Sequence, residues 1–114
     1  MAEQRITLSA STLIGDQVIN AEGEDLGHIK DIMIDVRNGT VAYAVLSFGG
    51  FLGMGDKLFA IPWQRLQLSE KEKRFYLDVD KEMLEEAPSF DKDHWPDMSA
   101  SSWREEVDVY YSRF

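Results

Sequence analysis

Four side chains near the C-terminal end of the sequence are of types that bind metal ions: Asp91, Asp93, His94 and Asp97. Alternating carboxylates are typical of calcium loops, which supply oxygen ligands from every second position. Such a loop needs glycine at its sixth position and glutamate at its twelfth, but Pro96 and Ser102 stand there. The segment is therefore predicted to be solvated and acidic, without metal ligands.

The other side chains that catalyse reactions in proteins are not spaced for catalysis. His28 and His94 are the only histidines, and neither has a second histidine at ligand spacing. No serine lies in a G-x-S-x-G turn. Asp31 and Asp35 share a predicted strand, but two exposed carboxylates do not form an acid–base pair with separated pKa values. We therefore expect no catalytic residues and no enzyme activity.

A glycine-rich loop runs from Gly49 to Asp56. Its glycines do not match a phosphate-binding loop, no Lys-Ser/Thr pair follows, and the next segment reads as a strand. We therefore expect neither nucleotide nor cofactor to bind there. The loop carries the apolar residues Phe51, Leu52 and Met54, which either cover one end of the domain or form a contact surface for self-association.

A helix is predicted at the C-terminal end, where Ser102 and Glu105 have the spacing of a capping box. Its apolar residues form one stripe at i, i+4, i+7 and i+11, with Tyr111 beside it: Trp103, Val107, Tyr110 and Phe114. The stripe either packs on its own domain, which we favour, or crosses to a second subunit. Tyrosine and tryptophan suit both roles because they bury a large area and keep a polar tip.

Short strands must position these residues. Five can be placed from alternation and turn residues: Gln17–Ile19, Leu26–Arg37, Thr40–Phe48, Lys57–Ile61 and Arg74–Val79. Asn38-Gly39 predicts a two-residue type I′ turn, which sets Val36 opposite Val41, Ile34 opposite Tyr43 and Ile32 opposite Val45 on one core face. A bulge near Lys30-Asp31 would restore the alternation of the second strand.

Strands followed by helices predict a mainly β fold: a small antiparallel β-barrel of about five to six strands with short C-terminal helices. The first helix is expected over Lys81–Ala87, with Asp80 as its N-cap and Pro88 ending it. The expected organisation is a leader over residues 1–15, a barrel over 16–88, and an acidic segment with an amphipathic helix over 89–114.

The composition excludes several classes of function. The chain has 114 residues, no cysteine, and 21 acidic against 12 basic residues, for a net charge of −9. This balance argues against nucleic-acid binding and favours a basic protein partner. No stretch approaches the ~20 apolar residues of a membrane-spanning helix. With no secretory signal visible either, we expect a cytoplasmic protein.

The ordered series of strands and turns resembles the PRC-barrel family. The resemblance rests on Val18–Gly27, Ile29–Val36 with Asn38-Gly39, Tyr43–Leu46, Gly49–Lys57 and Ala60–Trp63. Ala87–Phe90, Trp95-Pro96 and Tyr110-Tyr111 are similar to the tail of a bacterial stand-alone subgroup. The family is similar in fold to the cytoplasmic part of the photosynthetic reaction-centre H subunit and to the C-terminal domain of a ribosome maturation factor. The resemblance implies a compact β-barrel for assembly and docking, with no shared reaction.

The functional hypothesis is therefore a non-catalytic interaction module, expected to be a homodimer or other homo-oligomer. Its contact surface would be the apolar loop with Phe51, Leu52 and Met54, together with the aromatic C-terminal helix. The alternative is a small-ligand-binding or sensing barrel. Because a barrel of this size is filled by its own side chains, its ligand site would lie at a dimer cleft.

Overall fold

Six strands form one sheet in the computed structural model, which describes residues 7–48 and 57–113. The strands are β1 (Gln17–Ile19), β2 (Asp25–Asp35), β3 (Thr40–Phe48), β4 (Lys57–Pro62), β5 (Leu66–Ser69) and β6 (Arg74–Leu77). The helices are α1 (Ala10–Leu13), α2 (Lys81–Glu85) and α3 (Ser101–Tyr111), and a 3₁₀ turn spans Trp63–Arg65. The prediction of a mainly β protein with short helices is confirmed.

The strand order differs from that of the predicted barrel. It runs β4-β3-β2-β1-β6-β5, so β4 and β5 are the outer strands and no ladder among the described residues closes the sheet. β1 pairs antiparallel with β2 but parallel with β6. The 3₁₀ turn carries the chain from β4 into β5 without a hairpin, so β6 returns in the direction of β1. The prediction of a wholly antiparallel sheet is therefore wrong, and a closed barrel is not confirmed for these residues.

The sequence places no strand between Ile61 and Arg74, but Leu66–Ser69 form β5. This strand pairs with β6 and sets Leu68 opposite Phe75. The sheet consequently has more strands than the five placed from the sequence. The pairing also fits the predicted alternation of β6, in which Phe75 and Leu77 are buried and Tyr76 is not.

The register of the β2–β3 hairpin is also different from the prediction. Ile34 lies opposite Val41, and Met33 lies opposite Tyr43. The shift arises because the turn spans four residues, 36–39, and because a bulge lies between Met33 and Ile34. Ile34 and Val36, which the predicted register assigns to the core, are therefore exposed.

The bulge predicted near Lys30-Asp31 is confirmed by a shift of pairing between Ile29 and Asp31. Further back in β2, Gly27 has a φ of +108°. A Cβ atom there would lie 2.0 Å from the backbone oxygen of Ser47. Only glycine meets both conditions, because other residues rarely adopt this φ and none could avoid the contact.

The core fills both sides of the central strands. Every residue from Tyr43 to Phe48 is buried, so β3 is covered on both of its faces. Ala44, which alternation assigns to the wetter face, is fully buried. The largest fully buried side chains come from the sheet and from the last two helices: Val18, Leu26, Ile29, Val45, Leu46, Phe59, Ile61, Phe75, Leu77, Leu84, Val107 and Tyr111.

Asn20, at the end of β1, is a buried polar residue that joins the β1–β2 turn to the chain after β6. Its Nδ2 donates to the Val79 carbonyl at 3.2 Å and to the Glu24 carboxylate at 2.9 Å. Its Oδ1 accepts from the backbone N–H of Glu22 at 3.1 Å and of Glu24 at 2.9 Å. The buried amide is thus fully hydrogen-bonded, as burial of a polar group requires.

The helix ends differ from the predicted caps. α2 begins after Asp80 as predicted, but the Asp80 side chain makes no capping hydrogen bond, and the helix ends at Glu85. The residue preceding α3 is Ala100, so Ser102 lies inside the helix and does not form the predicted capping box. Because neither helix has a side-chain hydrogen bond at its N-cap, we attribute the stability of these helices to burial of Leu84 and Val107.

Candidate interaction surfaces

The end of the β2–β3 hairpin is a rigid turn built on Asp35. Its Oδ1 accepts from the backbone N–H of Arg37 at 3.0 Å and of Asn38 at 3.2 Å, and its Oδ2 accepts from Asn38 Nδ2 at 2.8 Å. The Gly39 N–H donates to the Asp35 carbonyl at 2.8 Å. The hydrogen bonds from Asn38 lower the pKa of Asp35, because they favour its charged form.

This end of the hairpin exposes two apolar side chains, one at the end of β2 and one in the turn. Ile34 is 56% exposed and Val36 is 86% exposed. Residues 30–41 contain two basic and two acidic side chains, so this hairpin segment has no net charge although the chain is strongly acidic. We call Ile34 and Val36 the hairpin tip. Exposed apolar side chains held in a fixed geometry are typical of contact surfaces.

The apolar stripe of the C-terminal helix packs on its own chain. Val107 and Tyr111 are buried in the core and Trp103 is half-buried against it. The stripe therefore follows i, i+4 and i+8, and Tyr111 takes the buried position that was expected for Tyr110. Phe114 lies outside the described residues.

Contacts at both ends fasten α3 to the rest of the protein. Near its start, the Trp103 ring lies 6.0 Å from that of Phe90, whose backbone pairs with Leu58 of β4. At its end, the Arg65 guanidinium donates to the Tyr111 carbonyl. A cation is favourable there because the C-terminal end of a helix carries partial negative charge.

The two adjacent tyrosines of α3 have different hydrogen bonding. The Tyr110 hydroxyl donates to the carbonyl of Met83 in α2. The Tyr111 hydroxyl is buried and has no hydrogen-bond partner in the described part of the chain. Burial therefore raises the pKa of Tyr111 well above its ordinary value.

This difference predicts opposite effects of the same substitution. Tyr111→Phe should raise the free energy of unfolding by about 1 kcal/mol, because it removes a buried hydroxyl that has lost its hydration. Tyr110→Phe should lower it by about 1 kcal/mol, because the Met83 carbonyl loses its donor. Urea denaturation followed by circular dichroism measures both, and a loss of stability in Tyr111→Phe would contradict the assignment.

An open groove of about 620 Å³ lies between the end of α2 and the outer face of α3. Its lining includes three carboxylates, those of Glu86, Glu105 and Glu106, together with Val109 and Tyr110. Val109 is 59% exposed. No local sequence pattern predicts this groove, because its residues come from the segment after α2 and from the region of α3, which are far apart in the sequence.

The residues that could bind metal remain scattered or on the surface. Asp91 Oδ1 lies 2.7 Å from His94 Nδ1, and both side chains are exposed. This hydrogen bond lowers the pKa of Asp91, because it favours the carboxylate. His28 and Asp31 are exposed on β2. Across residues 7–48 and 57–113, no three His, Asp or Glu side chains are grouped as a metal site would require.

The glycine-rich loop with Phe51, Leu52 and Met54 lies outside the described residues, so its role stays a prediction. The alternative of a ligand site at a subunit cleft also stays a prediction. A second cavity, of about 270 Å³, lies beside β5 and β6 and is lined by Arg65, Gln67 and Tyr76, among others. The Tyr76 hydroxyl is engaged with the Glu72 carboxylate at 2.6 Å, which raises the pKa of Tyr76.

The fold defines a small, mainly β protein with one mixed sheet and a C-terminal helix packed against it. A family model described as the PRC-barrel domain matches residues 6–84, which is more than half of the chain. The chain therefore belongs to the PRC-barrel family, and the resemblance noted in the sequence is confirmed. In the described residues, no helix has the length and apolar character needed to cross a bilayer.

Comparison with solved structures identifies a partial likeness to RimM of Pseudomonas aeruginosa, a protein assigned to 16S ribosomal RNA processing. The TM-score is 0.45 and the sequence identity is 19%, over 66% of this chain and 45% of that chain. The chain thus matches less than half the length of that protein. A comparison with curated proteins found no match.

Proposed function

We propose that this protein is a non-catalytic interaction module that associates with a second copy of itself. The observation that carries the proposal is the hairpin tip, where Ile34 and Val36 are exposed on either side of Asp35, whose hydrogen bonds fix the turn. Exposing apolar area to water is unfavourable, and covering it on association removes that cost. The rigid turn means that little conformational freedom is lost on binding.

The partner we propose is a second copy because of the charge around the tip. With a net charge of −9, two copies repel each other over most of their surfaces. The tip is locally neutral, so it is a place where two copies can approach with little repulsion. A two-fold contact would bring the same apolar residues of each copy together, as symmetric dimers do.

The loop residues Phe51, Leu52 and Met54 belong to the same proposal as a second apolar contribution to self-association. The aromatic helix is not part of the proposed contact, because Val107 and Tyr111 are buried inside their own chain.

Sedimentation velocity tests the proposal. We expect the wild type to sediment as a dimer or larger oligomer at micromolar concentration. Ile34→Asp combined with Val36→Asp should shift it towards monomer, because it places two charges in the contact. The matched control is Met83→Asp with Val109→Asp, which adds the same charge at two exposed apolar positions on the helices.

A monomeric wild type would contradict the proposal, as would a hairpin variant with unchanged sedimentation. A separate pair, Phe51→Asp with Met54→Asp, tests the loop in the same assay. If that pair alone produces monomer, the contact surface is the loop and the role assigned to the hairpin tip is wrong.

A further inference from the structure

We propose that the groove between α2 and α3 binds a basic, amphipathic segment of another protein. This inference is independent of self-association, because the groove and the hairpin tip share no residue. Most of the groove is formed by α3, which lies beyond the residues 6–84 that match the family model.

Acidic side chains are concentrated at this end of the chain. Residues 80–114 contain ten acidic and four basic side chains, so most of the net charge of −9 comes from this part of the chain. Three of these carboxylates line the groove: Glu86, Glu105 and Glu106. In the regions that the structure describes, none of the three has a cationic nitrogen within ion-pair distance. They are therefore available to lysine and arginine side chains of a partner.

The groove already accommodates one guanidinium, that of Arg113 of the chain itself. The guanidinium carbon of Arg113 lies 5.4 Å from the centre of the Tyr110 ring, in cation–π geometry. Burial raises the pKa of Tyr110, and the negative charge of Glu86 nearby adds to that effect. A cation beside this ring is thus favoured by both the aromatic face and a carboxylate.

The groove also has apolar surface. Val109 and Pro88 both line the groove, and Val109 is 59% exposed. A partner that offered only positive charge would leave this surface uncovered. The combination fits a segment in which lysine or arginine side chains flank an apolar one. The basic side chains would then contact the carboxylates, and the apolar side chain would contact the apolar surface.

The same chemistry disfavours other occupants. Nucleic acids and anionic membranes would be repelled by the carboxylates. A second copy of this chain would have to supply a basic amphipathic segment, and its sequence contains no basic run.

The test uses fluorescence anisotropy with a labelled synthetic peptide of repeating Lys-Leu-Leu-Lys sequence, titrated with the full-length protein. Glu105→Gln with Glu106→Gln should weaken binding about tenfold, since each lost charge contact contributes a few-fold. The matched control is Glu22→Gln with Glu70→Gln, which removes two exposed carboxylates outside the groove and should change the affinity less than twofold. Val109→Ser should weaken binding about fivefold.

A second probe, oligolysine of equal charge, separates groove binding from general attraction to an acidic protein. We expect oligolysine to bind at least tenfold more weakly and to lose its affinity at moderate salt. Equal binding of the two probes would overturn the proposal, and so would no binding to the wild type or equal losses in the groove and control variants. Ile34→Asp with Val36→Asp should leave peptide binding unchanged, so self-association can fail without affecting this result.

Discussion

Replacing Gly27 by alanine is expected to destabilise the protein by more than about 3 kcal/mol, or to prevent folding. Two costs add at this position. The φ of +108° is strained for any residue with a Cβ atom, and the new methyl group would lie 2.0 Å from the backbone oxygen of Ser47. That oxygen belongs to β3, so relief of the contact requires the two central strands to separate. Urea denaturation followed by circular dichroism measures the loss.

Gly23→Ala is the matched control for this experiment. Gly23 has a φ of +81°, and a Cβ atom there would meet nothing within 4 Å. Its substitution carries only the backbone strain, about 1–2 kcal/mol. Equal losses in the two variants would show that Gly27 does not approach β3 as closely as described. If Gly27→Ala lowers the free energy of unfolding by about 2 kcal/mol more than Gly23→Ala does, the close contact with Ser47 is confirmed.

Val107→Asp is expected to lower the free energy of unfolding by about 3 kcal/mol or more. Val107 is fully buried, so the carboxylate would lie in the core without a partner or would force α3 off the sheet. The experiment therefore tests whether the C-terminal helix packs on its own chain. Thermal and urea denaturation both report the change.

The control for Val107→Asp lies two residues further along the same helix. Val109 is 59% exposed, so Val109→Asp introduces the same charge into water and should alter stability by less than about 0.5 kcal/mol. If both variants were equally stable, the packing of α3 against the sheet would be wrong. If Val107→Asp unfolded only at low protein concentration, the helix would pack across a subunit boundary instead.

Strands with strong local signals could be predicted from the sequence. The alternation of Phe75 and Leu77, the start of β4 at Lys57 and the bulge in β2 depend on neighbouring residues, and all three are found in the structure. The family resemblance predicted the general fold, but the order and pairing of the strands could be determined only from the structure.

The hairpin register could not be predicted because two turn signals compete. Asn38-Gly39 favours a two-residue turn, but the Asp35 carboxylate binds the N–H groups of the residues after it and closes a longer turn. In the two-residue turn both Asn38 and Gly39 would have a positive φ. In the observed longer turn only Gly39 of the two does. The apolar pair that we assign to self-association is consequently exposed rather than buried.

Contacts between residues that are far apart in the sequence could not be predicted from it either. Asn20 reads as an ordinary turn residue, yet its amide reaches the carbonyl of Val79. The groove that we propose for a basic partner depends on how α2 and α3 lie against each other. The buried position of Tyr111, next to the half-exposed Tyr110, depends on the rotation of α3 against β4.

The parallel pairing of β1 with β6 has a consequence for how the chain acquires its structure during synthesis. β2, β3 and β4 follow one another closely and can pair as soon as they are synthesised. β1 cannot complete its pairing until β6 has been synthesised, because Gln17 pairs with Arg74. Until then, one side of β1 remains open to pairing with strands of other nascent chains. Docking of β6 should therefore be the slow step of refolding, and aggregation should be greatest before it occurs.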